Sequence, residues 1–376
     1  MTNKPIFVTK PLLPDLNLFH QMLGDIWDRG ILTNSGPMHN KLEEALAEYL
    51  GVPYISLFNN GTIALLVAIK ALELPQGSEI ITTPYSFVAT AHSIVWSDHI
   101  PVFVDVDEST CNINVQAIES AITENTSAIM AVHCYGNPCD VDALDMLAKK
   151  HKIKIIYDAA HAFGVQIHGK SILNFGSLSA LSFHATKVFN TIEGGAIVSK
   201  SLNDKKKIDY LKNFGFEDEL TVNSLGINGK MSEVNAAFGL LQLNDIDSAL
   251  DKRLRIDQMY RSRLKHLKNL KLLSFEENVT SNGSYFPIFI DQSSAVSRDD
   301  IYNKFKEHNI YSRRYFYPLI TELEPYLSDP KYKKQADLKI AQKLADEVLC
   351  LPIYPDLTLD EVNMICDLLC EWLASE

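Results

Sequence analysis

The sequence predicts an α/β protein: a large three-layer α/β/α domain built on a mostly parallel sheet, then a smaller C-terminal α+β domain. Three observations carry that expectation. Over the first two thirds of the chain, short apolar runs of strand length alternate with stretches of helical period, the pattern of strands covered on both faces by helices. After the long helical stretch that opens at Met231, strands and helices follow in a less regular order. A length of 376 residues is ample for two domains with separate cores.

Each element follows from local pattern. Residues 39–50 have helical spacing and stop at Gly51, which suits a C-terminal cap. Residues 54–58 form a short apolar run, and residues 61–72 follow with small and apolar side chains at helical period. Residues 79–83 read as a strand stopped by Pro84, and residues 101–106 and 128–133 as two more, with helices starting at Val115 and Val141. Residues 152–157 are rich in isoleucine and end in Asp158; residues 181–183 and 195–199 read as the last strands of the sheet, with a loop from His184 to Gly194 between them. The helix from Met231 runs past Arg255 toward Leu267, and a domain boundary is expected inside it near Asp251, dividing residues 1–250 from 251–376. Its basic residues Lys252, Arg253, Arg255, Arg261, Arg263 and Lys265 are expected on exposed faces. Residues 285–290 then read as a strand, and 298–307 and 335–349 as helices.

Charge and composition exclude several roles. Asp and Glu number 47 against 35 Lys and Arg, a formal net charge of −12, which argues against nucleic acid or an anionic membrane as partner. No apolar run approaches the roughly 18 residues of a membrane helix, and residues 1–15 lack the apolar core of a signal peptide. The six cysteines show no paired CxxC spacing and lie mostly in apolar stretches, so they read as reduced core thiols, with no metal site expected. A cytoplasmic protein is expected.

In open α/β sheets, ligands bind beyond the carboxyl ends of the strands. Four segments sit there: Asn59-Asn60-Gly61-Thr62, Pro84-Tyr85-Ser86-Phe87, Asp158-Ala159-Ala160-His161 and Ser182-Phe183-His184-Ala185-Thr186-Lys187. Together they supply a helix start, an aromatic plate, a carboxylate, hydroxyls and a lysine. Each suits pyridoxal phosphate. Gly61 and Thr62 open a helix whose free amides and dipole favour a phosphate, with the Thr62 and Ser182 hydroxyls as further donors. Phe87 can stack on a flat ring. Asp158 can keep a ring nitrogen protonated, which makes the ring an electron sink. Lys187, beside Phe183, Val188 and Phe189, has the apolar surroundings that lower an amine's pKa.

At these residues the chain resembles the DegT/StrS-type sugar aminotransferases, a fold-type I group of pyridoxal-phosphate enzymes. The resemblance spans roughly residues 5–372 and rests on six ordered motifs. These are Leu32-Thr33-Asn34-Ser35-Gly36-Pro37, the run from Thr83 to Thr90, Asp158-Ala159-Ala160-His161-Ala162, Ser182 to Lys187, Glu193-Gly194-Gly195-Ala196, and the run from Gly226 to Ala237. It implies that Lys187 bonds the cofactor, that Asp158 pairs with its ring nitrogen, that Phe87 stacks on the ring, and that His161 sits beside the ring hydroxyl. Gly61, Thr62 and Ser182 are implied to hold the phosphate, completed by Asn228 from a second subunit, so that a homodimer shares its sites. The chain departs from the family pattern at Asn60, where serine is common, and at Ile320, where a histidine commonly follows Pro-Leu.

Retention of Lys187 favours transamination over the dehydration carried out by relatives with histidine there. The wording from Phe183 to Lys187, with Asn190 and Glu193-Gly194-Gly195, is similar to members acting at C4 of a nucleotide-linked 4-keto-6-deoxy sugar. The implied reaction moves an amino group from L-glutamate to dTDP-4-keto-6-deoxy-D-glucose, a step toward O-antigen or another surface polysaccharide. His184 is a candidate helper in the sugar half-reaction, and Arg313, Arg314 and Tyr317 are candidates for holding the nucleotide-sugar substrate. A C3-aminotransferase, a lyase or aldolase on the same scaffold, and a non-catalytic regulatory protein are the competing readings.

Overall fold

The computed structural model describes residues 4–332 and 337–373. Its centre is a seven-stranded sheet of β1 (Tyr54–Phe58), β2 (Glu79–Thr82), β3 (Ile100–Phe103), β4 (Thr126–Val132), β5 (Lys154–Asp158), β6 (Leu178–Ser182) and β7 (Gly195–Ser199). The strands lie in the order β1-β7-β6-β5-β4-β2-β3. All pairings are parallel except those of β7, which runs antiparallel to both β1 and β6.

Side chains of successive strand residues point to opposite faces, and on β4 the consequence is plain. Ile129 and Ala131 join one buried cluster, Ala128 and Met130 another. The first is covered by helices that include α1 (Leu16–Arg29) and α2 (Pro37–Leu50); the second by α3 (Gly61–Ala71), α4 (Val88–Trp96) and α7 (Leu202–Leu211), with α5 (Val115–Ala121) and α6 (Val141–His151) on the first side. The expected three layers and mostly parallel sheet are present. Gly51 ends α2 with φ of 61°, the left-handed cap read from the sequence.

Helix α8 (Glu233–Leu264) spans the two main cores. Its Ala236, Ala237 and Ile246 pack in the first cluster; Ile256, Tyr260 and Leu264 pack in another with Phe286, Ile288, Ile301 and Phe305. That second core rests on a three-stranded antiparallel sheet of β8 (Leu270–Leu272), β9 (Phe286–Ile290) and β10 (Val348–Leu351), with α9 (Arg298–Glu307), α10 (Lys339–Glu347) and α11 (Leu359–Leu373) around it. Among the described residues no helix is long and apolar enough to cross a membrane.

Several boundaries differ from expectation. The helix read over residues 335–349 ends at Glu347, because Val348 and Leu349 pair with Phe289 and Ile288 as a buried strand; its expected start at Gln335 lies outside the described residues. Val106 is not in a strand but makes an isolated bridge to Ile113. Arg253 is buried, not exposed, and its guanidinium donates to the Gly283 and Ile353 carbonyls at 3.3 and 2.9 Å. Helix α4 gives little amphipathic signal because polar Thr90 and Ser93 lie on its buried side while Trp96 is exposed.

Candidate active site

The carboxyl ends of β1, β2, β5 and β6 open onto one cavity of about 320 Å³. Its wall contains Gly61, Thr62, Phe87, Asp158, His161, Ser182, His184 and Lys187, so eight residues read from separate motifs are brought together. Tyr285, Tyr315 and Phe316 close it from the C-terminal part of the chain.

At the α3 end, the Asn60 side chain accepts from the Ile63 amide at 2.8 Å and so caps the helix. The position where the family commonly has serine therefore serves the helix itself. The Gly61 and Thr62 amides lie in the first turn, where no intrahelical acceptor exists. Glycine at 61 is a matter of space: a Cβ there would lie 2.9 Å from the Ser182 Cβ. Gly195 is equally constrained, since a Cβ on it would fall 2.6 Å from the Asn60 carbonyl oxygen.

Asp158 is only 5% exposed. Burial raises its pKa, opposed by the Thr90 hydroxyl, which donates at 2.7 Å, by the Ala160 amide at 3.2 Å, and by the charge of Lys187. His161 is also buried, and its Nδ1 accepts from the Tyr135 amide at 3.2 Å, which leaves the ring proton on Nε2. Burial, with Lys187 nearby, holds its pKa well below the ordinary value and keeps the imidazole neutral. The ring lies parallel to that of Phe316, with centroids 5.9 Å apart. Lys187 is pulled down to about 8 by burial, against the opposing effect of Asp158. Its amine reaches the Tyr285 hydroxyl at 3.3 Å. Phe87, the residue just before α4, is 61% exposed beside the cavity, an aromatic face free for a ligand.

His184 stands at the mouth of the cavity, with Nδ1 2.8 Å from the Thr186 hydroxyl and Nε2 3.6 Å from the Glu193 carboxylate. Asn228 does not line this cavity. It faces a second one of about 840 Å³ with Ile63, Lys70 and Trp96, although the adjacent Gly229 carbonyl accepts from the Asn59 amide at 2.8 Å. Arg313, Arg314 and Tyr317 are also outside the cavity wall. Arg313 pairs through its backbone with Cys350, Arg314 bonds Asp299 at 3.0 Å, and the Arg298 and Arg314 guanidiniums lie 4.6 and 5.2 Å from the centre of the Tyr317 ring. Ile320 is buried with Ala91, Phe103 and Tyr326, in a small core beside α4. Sequence reasoning did not single out Tyr285 or Phe316 as site residues. Thr90 closes the run that starts at Thr83 and lies one helical turn beyond Phe87, and Tyr315 stands beside Arg313 and Arg314, but no role beside Asp158 or in the cavity wall was read for either.

These residues fit pyridoxal phosphate. Free first-turn amides beside two hydroxyls suit a phosphate, a buried carboxylate suits a protonated ring nitrogen, an exposed phenyl suits a ring face, and a desolvated amine suits a carbonyl carbon. Thr62, Ser182, Asp158, Phe87 and Lys187 are the groups that would hold it.

The profile of the DegT/DnrJ/EryC1/StrS aminotransferase family matches residues 16–370. The chain is 53% identical over 362 residues to the dTDP-4-amino-4,6-dideoxy-D-glucose transaminase of Shigella dysenteriae, covering 96% of this chain and 97% of the relative. It is 49% identical to the Escherichia coli transaminase of the same name, covering 98% and 99%. Among solved structures, DesI in the presence of its TDP-sugar product superposes with a TM-score of 0.92 at 32% identity, covering 98% of this chain and 93% of that one. Helicobacter pylori PseC, an aminotransferase involved in the biosynthesis of pseudoaminic acid, also gives 0.92, at 29% identity, covering 99% and 100%. With the profile matched almost end to end and two transaminases about half identical over nearly their full length, the chain belongs to the DegT/DnrJ/EryC1/StrS aminotransferase family.

Proposed function

We propose that this aminotransferase moves the amino group of L-glutamate to C4 of dTDP-4-keto-6-deoxy-D-glucose, releasing 2-oxoglutarate and dTDP-4-amino-4,6-dideoxy-D-glucose. The observation that carries the reaction type is the Lys187 amine, lowered to about 8 in the same cavity as the buried Asp158. The sugar is supported by the 53% identity to a transaminase of that name.

When bound, pyridoxal phosphate supplies the electron sink for the reacting carbon and carries the amino group between the two half-reactions. The rest belongs to the chain. An amine lowered to about 8 is partly unprotonated near neutral pH, so Lys187 can take a proton from a substrate carbon, hold it and return it. Asp158, kept ionisable by Thr90 and Ala160 despite its burial, holds the positive ring nitrogen. Phe316, Tyr315 and Tyr285 keep water from the inner end of the cavity. His184 assists or orients the sugar at the mouth, and Arg313, Arg314 and Tyr317 contribute to holding the nucleotide outside it.

The protein works as a homodimer in which Asn228 completes the phosphate cup of the other subunit, and it acts in the cytoplasm on precursors of a surface polysaccharide. Residues 1–250 form the cofactor-binding domain and residues 251–376 the smaller one; the change of core between Ile246 and Ile256 supports that division.

Protein loaded with cofactor should lose its yellow absorbance band on adding L-glutamate and regain it with dTDP-4-keto-6-deoxy-D-glucose. Recovery with a C3-keto sugar instead would move the reaction to C3. No loss with glutamate, or continued turnover by Lys187→Ala, would overturn the mechanism.

A further inference from the structure

Among the described residues the Lys187 amine makes one side-chain hydrogen bond, donated to Tyr285, a residue that no family motif marked. Nζ lies 3.3 Å from the Tyr285 hydroxyl and 5.8 Å from the centre of the Tyr285 ring. The two distances together put the amine beyond the hydroxyl, at the end of the ring, rather than over its face. The contact is therefore a hydrogen bond first and a cation–π contact only weakly.

Tyr285 is fixed from several sides. Its ring centre is 4.7 Å from that of His161, 5.8 Å from Tyr135 and 5.7 Å from Tyr315. The chain just before it is tied to the same two segments: the Ser284 hydroxyl donates to the Tyr135 carbonyl at 3.0 Å, and the Asn282 amide donates to the His161 carbonyl at 2.8 Å. A phenol fixed in this way has little side-chain freedom left to lose when it bonds the lysine. Burial raises its pKa above the ordinary tyrosine value, so the hydroxyl keeps its proton throughout the working range. Such a group accepts from the ammonium form of a lysine and donates to the neutral form. It serves both states without gaining or losing a proton itself.

We propose that Tyr285 is a positioning residue for Lys187, its hydroxyl holding the lysine amine at the cavity wall while that amine is free of the cofactor and is moving protons. The proposal rests on the transaminase reading and adds to it the group that keeps the released lysine aimed. Because the same lysine serves both half-reactions, a positioning role affects both. A hydroxyl that touched the sugar would affect one, and a ring that merely packed would be replaced by phenylalanine without effect.

The test uses Tyr285→Phe, which keeps the ring against His161, Tyr135 and Tyr315, so the melting temperature should stay near that of the wild type. Two readouts are required. In cofactor-free protein, the pH dependence of Lys187 acetylation by limiting acetic anhydride, read by mass spectrometry, should shift. A charge-assisted bond favours the ammonium over the free amine, so its loss should lower the midpoint by roughly half a pH unit or more. In single-turnover experiments, the L-glutamate and keto-sugar half-reactions should both slow by about tenfold or more, with substrate affinities little changed. An unmoved labelling midpoint, unchanged half-reactions, or a loss confined to the sugar half-reaction would each overturn the proposal. A wild-type protein that fails to react with glutamate would instead count against the transaminase reading, and the labelling result needs no substrate.

Discussion

The Thr90 hydroxyl lies 2.7 Å from the Asp158 carboxylate, linking the first turn of α4 to the end of β5. Thr90 has one proton, and it goes to Asp158; the Ser86 hydroxyl, 2.8 Å from Thr90, is then the donor to Thr90. The segment that presents Phe87 to the cavity therefore also opposes the upward pull of burial on the pKa of the carboxylate beside it.

Thr90→Val keeps the shape of the side chain and removes that donor. A hydrogen bond to a charged group is worth about 1.5–3 kcal/mol, so cofactor affinity should fall by about tenfold or more. The lost donor also raises the Asp158 pKa further, so the acid limb of the activity profile should move to higher pH. Fluorescence titration with the cofactor and a pH–rate profile check both; an unchanged pair would show that Asp158 does not depend on Thr90.

Gly61→Ala places a Cβ 2.9 Å from the Ser182 Cβ, where α3 meets β6. Relief requires the helix start to move away from the strand. The expected cost is about 1–3 kcal/mol of stability, with a larger loss of cofactor affinity than of melting temperature. Thermal denaturation with and without cofactor separates the two, and equal losses would mean that the first turn of α3 does not contact the phosphate.

Asn228 and Lys187 line different cavities of one chain. If Asn228 serves the partner's site, Asn228→Asp and Lys187→Ala homodimers should each be strongly impaired, while a mixture refolded together should regain activity. In such a hybrid, the intact Lys187 of one chain meets the intact Asn228 of the other. Failure to complement, with hybrid formation verified by tagged copurification, would place both residues in the service of their own chain.

Burial of Lys187 predicts a pH dependence of stability in the cofactor-free protein. Its pKa falls from 10.5 to about 8 on folding, so between those values the unfolded chain binds more protons. Stability from this group is therefore lowest below about pH 8 and rises as pH climbs toward 10.5. Lys187→Met should remove that rise. Urea denaturation of wild type and variant across the window checks it, since other groups cancel in the difference; a pH-independent difference would mean the amine titrates normally.

Much of this site was legible before folding was considered. Gly61-Thr62, Phe87, Asp158, His161, Ser182 and Lys187 follow strand-like runs in chain order, and the ends of parallel strands share one edge of a sheet. Where the reading slipped, contact between distant segments had prevailed over local pattern. Val348 and Leu349 extend a helical pattern but pair with β9; Arg253 sits in a basic run yet has buried carbonyls to bond.

By itself the sequence determined the alternation of strands and helices, the cap at Gly51, and which reactive groups follow which strand, because all of these depend on neighbours along the chain. Only the tertiary structure decided that Thr90 faces Asp158, across 68 residues, and that Tyr285 meets Lys187, across 98. It also decided that the lysine sits at about 8, since desolvation depends on what surrounds a group in space and not on what adjoins it in sequence.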